Sequence, residues 1–166
     1  MWYFNAQEIV KFAVGIEHNG QAFYREMAGR AGDDRVKKIF AFMAGEEEKH
    51  EALFGQMLSR LPATPDQDES YPGEYQEYMR ELVDSHVFTS GTDVSALGGK
   101  VQGEIGALDM ALSFEKDSIL FFHEMKRMVP AAERHTVDQL IEEEHRHIKT
   151  LLVMKRELTG SPPCKC

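Results

Sequence analysis

An all-α fold, with four long helices paired as two hairpins and a long crossover between them, is predicted by three features of the sequence. Proline lacks an amide hydrogen and clashes with the preceding turn, so it is kept out of helix interiors. It occurs at 62, 65, 72, 130, 162 and 163, which leaves three long Pro-free spans. Apolar residues recur through those spans at helical spacing, and no stretch alternates as a half-buried strand does. The third feature is an internal duplication. EHNGQAFYREM at 17–27 aligns with EKDSILFFHEM at 115–125, with Glu, Phe, Glu and Met at identical offsets and an aromatic residue after each shared Phe. At 166 residues the chain is long enough for one domain with a sizeable core.

The first span divides at Gly32, Asp33 and Asp34, a turn with an Asp placed as N-cap. One helix is therefore expected from about Asn5 to Ala31 and a second from about Asp34 to Leu61. Residues 62 to about 100 form the crossover. Loops of that length are uncommon in a compact domain, but two hairpins packed into one bundle need one. Within it a short helix is expected from Glu74 to Val87, with Tyr75, Tyr78, Met79 and Leu82 on one side. A small-residue, flexible stretch follows from Thr89 to Gly99. The third long helix should run from about Val101 to Met128. Pro130 is read as the first residue of the fourth, which continues to about Leu158 before Thr159, Gly160 and Pro162 stop it. The domain covers 1–160, and 161–166 is expected to be a disordered tail.

Charged residues make up 28% and apolar residues 42%, ordinary for a soluble globular protein. A net charge of −9 without a basic stripe argues against a nucleic-acid partner. No apolar run approaches the roughly 20 residues that span a bilayer, and the first eight residues lack a signal peptide's basic and apolar regions. Cys164 and Cys166 lie too near the end to staple a fold, so a reducing cytoplasm is the expected location. Either they hold a metal or receive electrons, or they belong to a frayed tail; the tail is preferred. Trp2, Tyr3, Phe4 and the aromatic crossover offer apolar surface beyond one bundle's need. A homodimer or larger homo-oligomer is expected, with helix pairs either kept within a chain or exchanged.

The chemistry concentrates in two Glu-x-x-His motifs, Glu47/His50 and Glu144/His147. Residues three apart share a helix face, so a carboxylate oxygen and an imidazole nitrogen can reach one metal ion. Each motif follows a lone Glu: Glu17 precedes Glu47 by 30 residues, and Glu115 precedes Glu144 by 29. Two lone Glu and two Glu-x-x-His motifs make the donor set of a di-metal carboxylate bundle. Phase agrees, because each Glu sits mid-stripe among apolar residues. Glu17 has Val10, Ala13, Val14 and Tyr24 beside it, and Glu47 has Phe40, Met43, Ala44 and Phe54. Glu115 has Leu108, Ala111, Leu112, Ile119 and Phe122, and Glu144 has Val137, Leu140, Ile141 and Leu151. A buried carboxylate must neutralise, pair or bind metal.

The same test rejects Glu142/His145, whose neighbours His135, Asp138, Gln139, Arg146 and Lys149 make a wet face. Glu46 is flanked by Ile39, Phe42, Met43 and Leu53. The 97-residue offset from Glu47 to Glu144 nevertheless tracks the 98 from Glu17 to Glu115, which selects Glu47. Glu48, Glu51, Glu142 and Glu143 read as solvated charge, and His18, His123, His135 and His145 as surface. His86 lies in the crossover with no assignable face. Met27, Met43, Met57, Met110, Met125 and Met154 read as core. The bland alternative is a metal-free bundle in which inward Glu and His pair with each other. It is disfavoured because a half-satisfied buried polar network is worse than an apolar core.

From about residue 5 to 158 the chain resembles the rubrerythrin-type, ferritin-like di-iron carboxylate proteins. The matching pieces are Glu17 with Phe23 and Tyr24, Glu47/His50, Glu115 with Phe121 and Phe122, and Glu144/His147. The resemblance implies a ferritin-like four-helix bundle holding two iron ions, with zinc or manganese as substitutes. It makes Glu17 and His50 terminal ligands of one iron, Glu115 and His147 of the other, and Glu47 and Glu144 catalytic bridges. Four carboxylates against two Fe²⁺ give a neutral centre, which makes its burial reasonable. Tyr24 either hydrogen-bonds a ligand carboxylate or is a core ring with a wet hydroxyl.

The implied function is a non-haem oxidoreductase that reduces H₂O₂ at a diferrous centre. The alternatives are a ferroxidase using O₂, and a structural or partner-binding bundle with an incidental metal. Two departures from the family pattern stand out. Ser118 occupies a position where these proteins usually carry a further Glu. Two cysteines also cannot build the four-thiolate iron site of a rubredoxin domain, so an external rubredoxin-like electron donor is expected.

Overall fold

The computed structural model describes residues 5–61, 73–86 and 93–160. Its helices are α1 (Ala6–Arg30), α2 (Asp34–Arg60), α3 (Gly73–Ser85), α4 (Val94–Lys100), α5 (Gly103–Met128) and α6 (Arg134–Thr159), and no strand occurs among the described residues. Trp2, Tyr3 and Phe4, most of the connections flanking α3, and the tail with Cys164 and Cys166 lie outside them. None of the described helices is long and apolar enough to cross a membrane.

The long helices begin where the sequence supplies partners for the unpaired amides of a first turn. Asn5 and Glu8 form a reciprocal capping box: Glu8 N donates to Asn5 Oδ1 at 2.9 Å and Asn5 N to Glu8 Oε2 at 3.1 Å. Asp33 caps α2 by accepting from Arg35 N at 2.8 Å. At the far end Gly160, in the left-handed region at φ 64°, closes α6 as the sequence predicts. The turn between α1 and α2 is tied to the second hairpin, since Asp33 N donates to Glu104 Oε1 at 2.6 Å.

α1 pairs with α2 and α5 with α6, and the two hairpins meet through α1 against α5 and α2 against α6. The shared core runs through Ile9, Val10, Ala13, Phe23 and Tyr24 of α1, Phe40, Met43 and Phe54 of α2, and the apolar stripes of α5 and α6. Met27, Met57, Met125 and Met154 are buried in it as well. At one end Arg60 clamps Glu133 through paired hydrogen bonds of 2.8 and 2.7 Å, joining the last turn of α2 to the start of α6.

Three expectations are corrected. Pro130 does not open α6. It starts a tight turn in which Glu133 N bonds Pro130 O at 2.9 Å, and the first α-type bond of that segment runs from Val137 N to Glu133 O. Residues expected to be flexible up to Gly99 instead contain α4, capped by Asp93 and docked on α1, where the Arg30 guanidinium donates to Gly98 O. Tertiary contact holds this short, glycine-containing helix, and propensity alone would not. On α3 the side shared by Tyr78, Met79 and Leu82 is only partly covered: Met79 is buried with Val83, Leu82 is half-buried and Tyr78 is 43% exposed, while the Tyr75 side chain lies outside the described residues. His86, just past α3, is buried between the rings of Phe114 and Phe121.

Two glycines of α1 separate packing from propensity. A Cβ on Gly20 would lie 2.4 Å from Phe114 Cζ, whereas one on Gly15 would have nothing within 4 Å. Gly15→Ala is therefore expected to stabilise the protein by up to about 1 kcal/mol through helix propensity. Gly20→Ala should cost on the order of 1–3 kcal/mol, because the buried ring must move. Urea denaturation of the two variants checks the opposite signs.

Candidate metal centre

The two hairpins bring the six sequence-predicted ligands to one place. α1 supplies Glu17, α2 Glu47 and His50, α5 Glu115, and α6 Glu144 and His147. All six are buried; Glu17, Glu47, His50 and Glu115 have no exposure at all. Glu17, Glu47, His50 and Glu144 each offer a donor atom within 4.8 Å of the others. Glu47, Glu115, Glu144 and His147 do the same, so Glu47 and Glu144 belong to both sets. Each imidazole faces inward by Nδ1. For His50 this atom is 2.8 Å from Glu144 Oε1 and 3.5 Å from Glu17 Oε2. For His147 it is 3.0 Å from Glu144 Oε2 and 3.6 Å from oxygens of Glu47 and Glu115. The two rings stack at 5.6 Å, nearly parallel.

Hydrogen bonding inside the protein does not satisfy this cluster. Both oxygens of Glu17 and of Glu47, one each of Glu115 and Glu144, and His50 Nδ1 make no hydrogen bond. The close approach of His50 Nδ1 to Glu144 lies off any hydrogen-bonding direction. Leaving so many buried polar atoms unpaired is costly. Hard carboxylate oxygens and borderline imidazole nitrogens, all aimed at two shared points, suit divalent first-row metals, iron included. The donor set fits the metal.

Without a cation the four acids cannot all ionise. Burial, then the neighbouring carboxylates of Glu17 and Glu144, pushes Glu47 well above the ordinary carboxyl range. Burial and Glu144 do the same to Glu115. Burial also opposes the charge on Glu144, but the proton-bearing groups around it, Glu115, His147 and His50, outweigh it and hold that group low. Burial disfavours the imidazolium of His147, yet the carboxylates of Glu115 and Glu144 beside it raise it to about 10. His50 is likewise raised, burial being outweighed by Glu17, Glu143 and Glu144.

Two further side chains touch the cluster. The Tyr24 hydroxyl donates to Glu115 Oε1, and burial, followed by that carboxylate, keeps the phenol protonated. Its repeat mate Phe122 has no hydroxyl, so this bond exists on one side only. Glu143, read from the sequence as solvated charge, is instead half-buried, with Oε2 2.9 Å from His50 Nε2. Helical phase points Glu143 off the apolar stripe, and the contact depends on how α6 lies against α2. Its only trace in the sequence is its place beside Glu144. Glu142 and His145 are exposed, as their wet face predicts, and Glu48 pairs with Arg25 at the surface; Glu46, set aside on the repeat offset, is half-buried and pairs with Lys49.

Four carboxylates and two imidazoles from four long helices define a ferritin-like di-metal carboxylate bundle. The sequence profile of the Rubrerythrin family matches residues 8–155, and the chain belongs to the rubrerythrin family. A crystal structure of a ferritin-like diiron-carboxylate protein from Thermotoga maritima is similar over 95% of this chain and 98% of that one, with a TM-score of 0.67 and 28% identity. No curated protein matches the chain.

Metal binding must displace the protons that the raised affinities of Glu47, Glu115, His50 and His147 favour. Uptake is therefore expected to release protons, and apparent affinity to rise with pH, including through the range near 10 in which His147 loses its proton. Calorimetric titration in buffers of different protonation enthalpy measures the release. A pH-independent affinity without proton release would contradict this charge assignment.

Proposed function

We propose that this protein is a non-haem di-iron oxidoreductase that reduces hydrogen peroxide. The observation that carries the proposal is the pair of four-donor sets sharing Glu47 and Glu144 in a rubrerythrin-family chain. In this scheme Glu17 and His50 end one coordination sphere, Glu115 and His147 the other, and Glu47 and Glu144 serve both. Bound Fe²⁺ supplies one electron per ion for H₂O₂ + 2e⁻ + 2H⁺ → 2H₂O.

The chain's own residues set the conditions for that chemistry. Val10, Ala13, Phe40, Met43, Leu108, Ala111, Val137 and Leu140, all buried beside the ligands, exclude bulk water and favour a small oxidant. Tyr24 holds Glu115 in one orientation while keeping its own proton. Glu17, with neither oxygen hydrogen-bonded, keeps both for the metal. Electrons that restore the ferrous state come from a separate donor of rubredoxin-like chemistry.

The test is anaerobic loading with Fe²⁺ followed by stopped-flow oxidation with H₂O₂ and with O₂ in parallel. Two irons per chain and much faster oxidation by peroxide are expected. Oxidation by O₂ that matches or exceeds it, and continues as Fe²⁺ is added, would identify a ferroxidase instead. Glu144→Ala is expected to abolish binding of two metals, and Glu142→Ala to leave it intact, by metal analysis of the purified variants. Two irons bound by both variants would show the ligand assignment to be wrong.

A further inference from the structure

The internal repeat that relates the two halves of the cluster breaks down just outside it. With the 97-residue offset, His50 corresponds to His147, Glu46 to Glu143, and Phe42 to Gln139. The outer faces of the two histidines nevertheless differ. His50 Nε2 meets the Glu143 carboxylate at 2.9 Å, and Glu143 is held in turn by Arg146, whose Nη2 is 3.2 Å from Oε1. Glu143 and Gln139 also line an open surface groove with His135, Asp138, Glu142 and Arg146. At the other half Glu46 turns away to Lys49, and Phe42 stands edge-on to the His147 ring at 6.5 Å. One histidine is backed by an anion at a polar groove, the other by an aromatic ring.

The outer contacts of the terminal carboxylates are distributed the opposite way. Glu115 receives a hydrogen bond from Tyr24, while neither oxygen of Glu17 receives one. Each half therefore has one ligand fixed from outside: the imidazole in the Glu17/His50 half, the carboxylate in the Glu115/His147 half.

We propose that Glu143 is a positioning residue for His50, making the two metal positions inequivalent. By accepting from Nε2–H, Glu143 keeps the proton on the outer nitrogen. With a cation bound in place of the Nδ1 proton, the Nδ1 lone pair is directed to the point shared with Glu17, Glu47 and Glu144, and the ring cannot turn away. Carboxylates behind metal-bound imidazoles typically change affinity by roughly 10–100-fold when removed. Here that effect falls on one position of the two, because among the described residues no carboxylate backs the outer nitrogen of His147.

This inference rests on the two-metal function proposed above, and the experiment separates their failures. The folded protein is titrated with Co²⁺ alone, following visible d–d absorption and heat, with helical content checked by circular dichroism. Wild-type protein should bind two ions, and Glu143→Ala should weaken one step by roughly 10–100-fold while leaving the other. Glu143→Gln, whose amide oxygen still accepts from Nε2–H, should stay within a few fold of wild type. Glu46→Ala, at the repeat mate, should change neither step. In a His50→Ala background Glu143→Ala should have no further effect, since no ring remains to be positioned.

Equal weakening of both steps, no change, or Gln behaving as Ala would overturn the positioning role while leaving the two-metal centre standing. Failure of wild-type protein to bind two ions would overturn the proposed function, and this inference with it.

Discussion

Four carboxylic acids and two imidazoles lie within a few ångströms of each other at the centre of a helical bundle, out of contact with water. That constraint governs the rest of the structure. Like charges so placed repel strongly in a poorly polarisable interior, and several of the oxygens lack even a hydrogen-bond donor. Without a cation, burial and mutual repulsion favour protons on Glu47 and Glu115, and the surrounding carboxylates favour them on both histidines. Two divalent cations would meet it by neutralising four carboxylates. The same atoms that are a liability in an empty core are the reason a metal would bind tightly there.

A core carrying such a liability needs support elsewhere. The apolar stripes above and below the cluster supply it, with large aromatic residues such as Phe23, Tyr24, Phe40, Phe54, Phe114, Phe121 and Phe122 fully buried. Each buried ring removes a large apolar area from water. Electrostatic clamps at the periphery act differently. Arg60 with Glu133 and Asp33 N with Glu104 tie helix ends of one hairpin to those of the other. Their value is in register, since exposed ion pairs add little stability. Register matters because a ligand cluster drawn from four helices is sensitive to the rotation of any one of them.

The duplication explains why the cluster is nearly symmetric, and side chains just beyond it explain why it is not fully so. Tyr24 against Phe122, and Glu143 against Glu46, give the two halves different outer supports. A duplicated hairpin that builds one central cluster needs to keep only the residues that point into it. Outer positions then diverge under local packing, as Gly20 shows: it is the repeat mate of Ser118 and lies too close to the Phe114 ring to carry a side chain without displacing it.

The sequence by itself determined the helices and the six inward Glu and His side chains, because both depend on periodicity within one helix. A residue mid-stripe among apolar neighbours must be buried, whatever that stripe packs against. Boundaries set by intrinsic signals were legible for the same reason, as at Asn5, Asp33 and Gly160. Tertiary structure alone decided what lies across helix interfaces. Glu143 reaches His50 only because α6 lies against α2 at one rotation, and its helical phase says nothing of that. α4 forms where a small-residue stretch docks on α1, and the turn after Pro130 delays α6 until Glu133, the residue that meets Arg60, has been passed. Each of these is a contact between residues distant in sequence, whose geometry is set by the packing of whole helices.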